Sequence, residues 1–205
     1  MSDDFQLELM RRWRSLTALF NQVLARIGEK RINDANDTGD SASVLRDEYP
    51  QAKDQLLSMY PWNCATRRVA LAQKSGDNLT AYEYMFQIPV DCITVQALLD
   101  GETFEPVPFD CRIEGDTLYC NMENPVIKYT HRIRFYEMSP LLVEAMVLLL
   151  AHKVAWRITQ SADIESDMWG RYQVALADAM NDEGKTQAHQ KNATLNPRDD
   201  WSYAG

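Results

Sequence analysis

Apolar residues recur at helical spacing near the start of the chain. From about Asp4 to Ile27, the residues Phe5, Leu9, Leu16, Phe20, Val23, Leu24 and Ile27 fall on one face, and Gly28 supplies a C-terminal stop. The run INDANDTGDSAS that follows consists of turn and capping residues, which predicts a loop ending in a serine N-cap. A second helix is predicted from about Ala42 to Tyr60 on the stripe Leu45, Tyr49, Ala52, Leu56 and Tyr60. Pro50 lies inside that stripe and is expected to kink the helix or delay its start.

After Gln73 the period changes. KSGDN reads as a turn, and AYEYMFQIPVDCITVQALLDG, FEPVPFDCRIEGDTLYCN and PVIKYTHRIRFYE carry alternating and β-branched residues between Gly and Asp turns. The sharpest hairpin is IEGDTLYC, with Ile113, a Glu-Gly-Asp turn, then Leu118 and Tyr119. Pro89, Pro106 and Pro108 point to edge strands and breaks. Helical spacing returns at Ser139-Pro140, an N-cap followed by proline at the first helical position. Leu141, Leu142, Ala145, Leu148, Leu149, His152 and Trp156 then make a helix apolar almost all round, as a buried central helix would be. A last helix is predicted from about Asp163 to Asp182, with Ile164, Met168, Tyr172, Ala175 and Ala179 on one face.

Two helices, a strand block and two more helices predict an α+β fold: an antiparallel helical bundle with a small antiparallel β-domain inserted in it. The corresponding divisions are 1–73 for the N-terminal helices, 74–137 for the β-domain, 138–183 for the C-terminal helices and 184–205 for an extended C-terminal arm. The arm is polar yet ends in Trp201 and Tyr203, aromatics of the kind that anchor interfaces, so it is expected to order on a partner.

Composition narrows the function classes. The 205 residues include 21 basic and 30 acidic ones, a formal charge of −9, so the chain should repel nucleic acid unless its basic residues cluster. The clusters Arg11-Arg12-Trp13-Arg14 and Arg67-Arg68 are short and sit beside apolar periodic residues. Four cysteines without a CxxC pair, and only three histidines, argue against a closed zinc site. The N-terminus lacks the apolar core of a signal peptide, and the longest apolar run, Leu141 to Ala151, is interrupted by Glu144 and too short to span a bilayer. The expectation is a reduced, soluble, intracellular protein with no cofactor and no membrane partner.

Candidate chemistry centres on MYPWNCATRRVALAQ, Met59 to Gln73. Cys64 would need a base and an orienting group to act as a nucleophile. His131, His152 and His189 lie far away in sequence, so a small buried residue at a helix contact is the preferred reading. His152 falls on a leucine-rich face and reads as a core histidine, while His131 in YTHRIRF faces solvent or a neighbouring subunit. Acidic pairs such as Asp3-Asp4, Asp182-Glu183 and Asp199-Asp200 are scattered in turns, and no P-loop, dinucleotide, HExxH or GxSxG signature occurs. These absences predict a non-enzyme. Arg67 and Arg68 fall in a segment that would be helical, one facing solvent and the other pairing with an acid across a subunit boundary.

Three stretches together resemble one family: FNQVLARIGEKRIN (20–33), DANDTGDSASVLRDEYPQAKDQLLSMYPWNCATRRVALA (34–72) and YMFQIPVDCITV (84–95). They are similar to the tail tubular protein A family, the head-to-tail adaptors of short-tailed bacteriophages. The shared phrases are Leu24-Ala25-Arg26-Ile27-Gly28, then Pro61-Trp62-Asn63-Cys64-Ala65-Thr66-Arg67-Arg68-Val69-Ala70-Leu71, then Tyr82, Tyr84, Pro89, Asp91 and Cys92. The likeness extends over roughly residues 16–183, including IKYTHRI. Cys64 stands where the family usually has an aromatic, which marks an apolar packing position.

The resemblance implies a structural virion protein at the head–tail junction, assembled in the host cytoplasm. It implies a dodecameric ring of this chain between the portal protein and the tail nozzle protein, with DNA passing through the lumen without sequence-specific binding. The helical part would meet the portal and the β-domain the nozzle. An acidic lumen would let DNA slide, because phosphate-neutralising contacts are what make it bind. Arg11, Arg12, Arg14, Arg67, Arg68, Trp201 and Tyr203 are then candidates for subunit or portal contacts, and Pro61, Trp62 and Asn63 form the structural signature. The competing readings are a head-completion connector of another tailed phage, a small thiol-dependent hydrolase and a DNA-binding module.

Overall fold

The structure, a computed structural model, describes residues 15–195, with side chains as far as 188. Arg11, Arg12, Arg14, Trp201 and Tyr203, together with the predicted first turns of the opening helix, lie outside the described residues. The described chain is a mixed α+β protein with four α-helices and two antiparallel sheets. It divides into two compact units. One takes the chain up to Tyr49 and from Ser139 onward, and the other is Pro50–Met138.

In the first unit, α1 (Leu16–Arg26) starts at Ser15, whose Oγ accepts from the Ala18 amide. It ends as the sequence predicts. Gly28 takes φ 78°, its amide donates to the Ala25 carbonyl and the Glu29 amide donates to Leu24, the two bonds of a Schellman stop. The loop that follows is folded back by side chains. Asn21 holds both polar groups of Ile32, at 3.0 and 2.8 Å, and Arg46 donates to the carbonyls of Ala35 and Asp37.

Helix α2 (Asp40–Ser58) is not delayed by Pro50 but runs through it. The proline ring lies on an exposed face, where water can satisfy the carbonyl that loses its amide partner, while Leu45, Ala52, Leu56 and Leu57 are fully buried on either side. The boundary between the two units falls at this proline.

Helix α3 (Pro140–Thr159) has the predicted cap, with Ser139 Oγ accepting from Leu142, and buries residues on all sides, from Leu142 to Ala155. Gln160 closes it in the left-handed conformation, and Ser161 begins α4 (Ala162–Leu195). Helix α4 packs along α3, burying Met168, Tyr172 and Ala179, and α1 packs on α3 with Arg26 forked onto Glu144 at 2.7 and 2.9 Å. Helix α4 does not end near Asp182. Residues 184–195, expected to be extended, continue it, because Lys, Gln, Ala and Leu there are sound helix formers and no Pro or Gly intervenes between Lys185 and Leu195.

The second unit joins the end of α2 to seven strands. One sheet has the order β1 (Thr66–Ala70), β7 (Val126–His131), β3 (Cys92–Leu99), β4 (Pro106–Val107). The other has β2 (Tyr84–Gln87), β6 (Thr117–Cys120), β5 (Cys111–Glu114). Phe86, Leu118 and Cys120 from the smaller sheet share a core with Leu98, Ile127 and Tyr129 from the larger. The hairpin read from IEGDTLYC is β5–β6, with Gly115 at φ 60° in a two-residue turn, and Pro106 lies on an edge strand as expected.

One expectation fails here. Arg67 and Arg68 are in β1, not a helix, so strand structure begins at Thr66. Thr66 and Val69 are β-branched, and the segment pairs residue by residue with β7, so tertiary pairing settles a stretch that helical spacing does not.

Candidate functional site

The signature phrase is a corner between a helix and a strand. Helix α2 ends at Ser58, Pro61 is exposed, and Trp62 is fully buried with Nε1 donating to the Leu56 carbonyl at 3.0 Å. The Trp62 ring lies 5.1 Å from that of Tyr60, and its carbonyl accepts from the Thr66 hydroxyl and the Ala65 amide. Asn63–Ala65 form one 3-10 turn and β1 starts at once. An indole held by its own nitrogen, on a residue whose backbone carbonyl accepts from two donors, fixes the direction in which β1 leaves the helix. Cys64 is partly buried within that turn.

Alternation along β1 sends its two arginines to opposite faces of the sheet. Arg67 stands opposite Tyr129 in β7 and reaches Asp91, Nη1 to Oδ2 at 3.1 Å. The hydroxyl of Tyr129 donates to the other oxygen of the same carboxylate at 3.2 Å. His131 Nδ1 is 4.0 Å from Asp91 Oδ2. The acid expected across a subunit boundary is therefore found within the chain itself. Burial, and then the Asp91 charge, raise the Tyr129 hydroxyl above the ordinary tyrosine range, so it stays a protonated donor.

Asp91 is positioned by a tight turn. Pro89-Val90-Asp91-Cys92 closes with the Cys92 amide donating to the Pro89 carbonyl, and Val90 at the tip is 93% exposed. Arg132 clamps the turn from β7's exit: its amide donates to Asp91 O and its Nη1 to Val90 O, both at 2.9 Å. The same guanidinium donates through Nε to Asp54 in the last turns of α2. The phrases PWN…RR and P-x-D-C, separated in sequence, thus meet at one carboxylate.

Arg68 has a different setting. It is exposed and directly opposite Lys128, so two cations face each other across β1–β7. Such a pair is mildly unfavourable for the isolated sheet. On the same side, Gln96 Nε2 donates to Thr66 and Thr130, and Gln96 Oε1 is buried without a partner. Of the residues singled out from sequence, the structure therefore gathers Trp62, Arg67 and Arg68 around one corner. Asp91 belongs to the P-x-D-C phrase without a local pattern that gives it a role, and no sequence signal singles out Tyr129, Lys128 or Gln96. The alternation of IKYTHRI placed Tyr129 on one face, yet nothing in one strand tells which acid faces it.

Other candidate chemistry resolves into structure. His152 Nδ1 lies 3.1 Å from the Glu165 carbonyl and its ring packs 5.0 Å from that of Trp169, a tied helix–helix histidine. Among the described residues, no three His, Cys, Asp or Glu side chains are grouped to hold a metal ion, and no helix is long and apolar enough to cross a membrane. No protein-family model matches the chain, and no curated protein is similar to it at a significant level.

Proposed function

We propose that this chain is a structural virion protein, the adaptor ring subunit that joins a capsid portal to the tail nozzle and forms part of the DNA channel. The observation that carries the reading is the Arg67–Asp91 contact. It joins the PWN…RR phrase, the most specific part of the family resemblance, to the P-x-D-C phrase through a half-exposed ion pair beside the buried Tyr129, as expected if those phrases serve architecture rather than chemistry. In this reading the helices outside Pro50–Met138 form an antiparallel bundle with an inserted β-domain, the bundle meeting the portal and the β-domain the nozzle. The exposed side chains Trp156, Trp169 and Val174 on α3 and α4 are then contact residues of the helical part. The Arg68–Lys128 cation pair fits the same account, since an acidic surface on a neighbouring subunit would turn a mild repulsion into a favourable contact. The net charge of −9 suits a wall along which DNA slides.

Sedimentation velocity tests the proposal. The chain alone should run as a monomer or weak oligomer, and addition of its cognate portal protein should shift it into one defined complex. Unchanged sedimentation with portal at micromolar excess would overturn the reading, and tight DNA binding at physiological salt by the isolated chain would favour a DNA-binding module instead.

A further inference from the structure

Cys111 and Cys120 are direct partners across the β5–β6 hairpin. The turn has two residues, so the flanking pair Glu114 and Thr117 is the hydrogen-bonded one, and pairs alternate outward from it. Ile113 with Leu118 is then non-hydrogen-bonded, Arg112 with Tyr119 hydrogen-bonded, and Cys111 with Cys120 again non-hydrogen-bonded. At such positions the Cα atoms approach to about 4.5 Å. That lies inside the window of about 4.4–6.8 Å within which a disulfide closes without moving the backbone. Opposed residues share a face, and both side chains join the core formed by Leu118, Phe86 and Ile127. The other two cysteines are placed differently: Cys92 stands opposite His131, and Cys64 is in the 3-10 turn.

We propose that Cys111 and Cys120 are a modification site, closing to a cross-strand disulfide when the folded protein meets a small-molecule disulfide such as oxidised glutathione. Access sets the order of events. Cys120 is fully buried and its thiol donates to the Met122 carbonyl at 3.7 Å, whereas Cys111 is half-buried on the edge strand β5. The Cys111 thiolate attacks one sulfur of the oxidant, forming a mixed disulfide and releasing one glutathione thiolate. Cys120 then gives up the proton it shared with Met122 and attacks the Cys111 sulfur, expelling the second glutathione. Two protein thiols and one oxidised glutathione become one protein disulfide and two reduced glutathiones.

Chemistry slows the first step without blocking it. Burial, followed by the neighbouring Cys120 and Asp110, pushes the Cys111 thiol up to about 11, so little thiolate is present near neutrality. Burial likewise raises Cys120. The rate should therefore rise about tenfold per pH unit through the neutral and mildly alkaline range, as the thiolate fraction does.

The test uses the full folded chain incubated with oxidised glutathione, followed by thiol titration, intact mass and non-reducing peptide mapping. Two of the four thiols should disappear and a single Cys111–Cys120 crosslink should appear within one chain. Cys120→Ala should halt at a glutathione adduct on Cys111, and Cys111→Ala should leave Cys120 unmodified while the chain is folded. The proposal is overturned if all four thiols survive, if another pair or an interchain link forms, or if the wild-type chain stops at the adduct. Oxidation of the two variants as complete as in the wild type would overturn it as well.

Discussion

Replacing Asp91 by alanine should unfold the Pro50–Met138 unit at markedly lower denaturant. Two interactions are lost. The Tyr129 hydroxyl donates to the carboxylate from a residue only 2% exposed, and a hydrogen bond to a charged group contributes about 1.5–3 kcal/mol. The Arg67 pair adds little, because its side chains are 53% and 37% exposed and solvent screens them, so about 0–1 kcal/mol is appropriate. The sum is about 1.5–4 kcal/mol, and the larger part is the penalty of a buried hydroxyl left without an acceptor. With a urea slope of about 2 kcal/mol per molar, the middle of the usual range, the midpoint should fall by about 1–2 M. Asp91→Asn keeps an acceptor and should cost about 1 kcal/mol. Pulsed hydrogen exchange on peptides from Pro50–Met138 reads this unit alone. In a double-mutant cycle with Tyr129→Phe, the coupling should be about 0.5–3 kcal/mol. A loss below about 0.5 kcal/mol for Asp91→Ala, with no coupling to Tyr129, would refute the claim that this carboxylate holds the corner.

Other perturbations have separable outcomes. Arg68→Glu replaces a cation pair with an ion pair opposite Lys128, so thermal stability should hold or rise by about 0.2–1 kcal/mol while portal-templated assembly falls; a loss of stability would show that Arg68 has a structural partner instead. Trp62→Ala should cost about 3–5 kcal/mol by cavity formation, measured by urea unfolding, and Trp62→Phe about 1–3, the lost Nε1 bond to Leu56 included. Asp116 accepts from Lys74, Gln87 and Thr117, in that order of effect, which holds its carboxyl well below the usual carboxylate range. A depressed folded value means that its stabilising contribution is complete above the unfolded carboxyl's pKa, about 3.9, and fades as pH falls below it. Stability against pH should thus drop in acid, with Asp116→Asn flattening that limb; an unchanged limb would contradict the linkage.

What the sequence makes legible follows the range of the interactions. The Gly28 stop, the Ser139-Pro140 start and the Gly115 turn are local: a backbone angle or a cap decides each, and the residue type announces it. Trp62 is readable as a plug because a large aromatic between a proline and a turn has few other uses. Arg67 and Arg68 are not readable in the same way. Their strand state depends on β7, some sixty residues away, and helical spacing of neighbouring apolar residues gives no hint of that partner. The same range hides the site. Asp91, Tyr129 and Arg132 are ordinary within their own segments, and only the pairing of β1, β3 and β7 brings them together. The length of α4 shows the opposite error. A polar stretch without core residues reads as an arm, although residues with good helix propensity continue a helix already nucleated on α3.

The central claim is that this chain is a ring subunit on a portal. Electron-microscope imaging of the purified chain mixed with portal rings tests it most directly. The account predicts a closed ring of copies stacked on one end of the portal, coaxial with it and open along the axis. Bare portal rings, or copies attached singly and without rotational order, would contradict it.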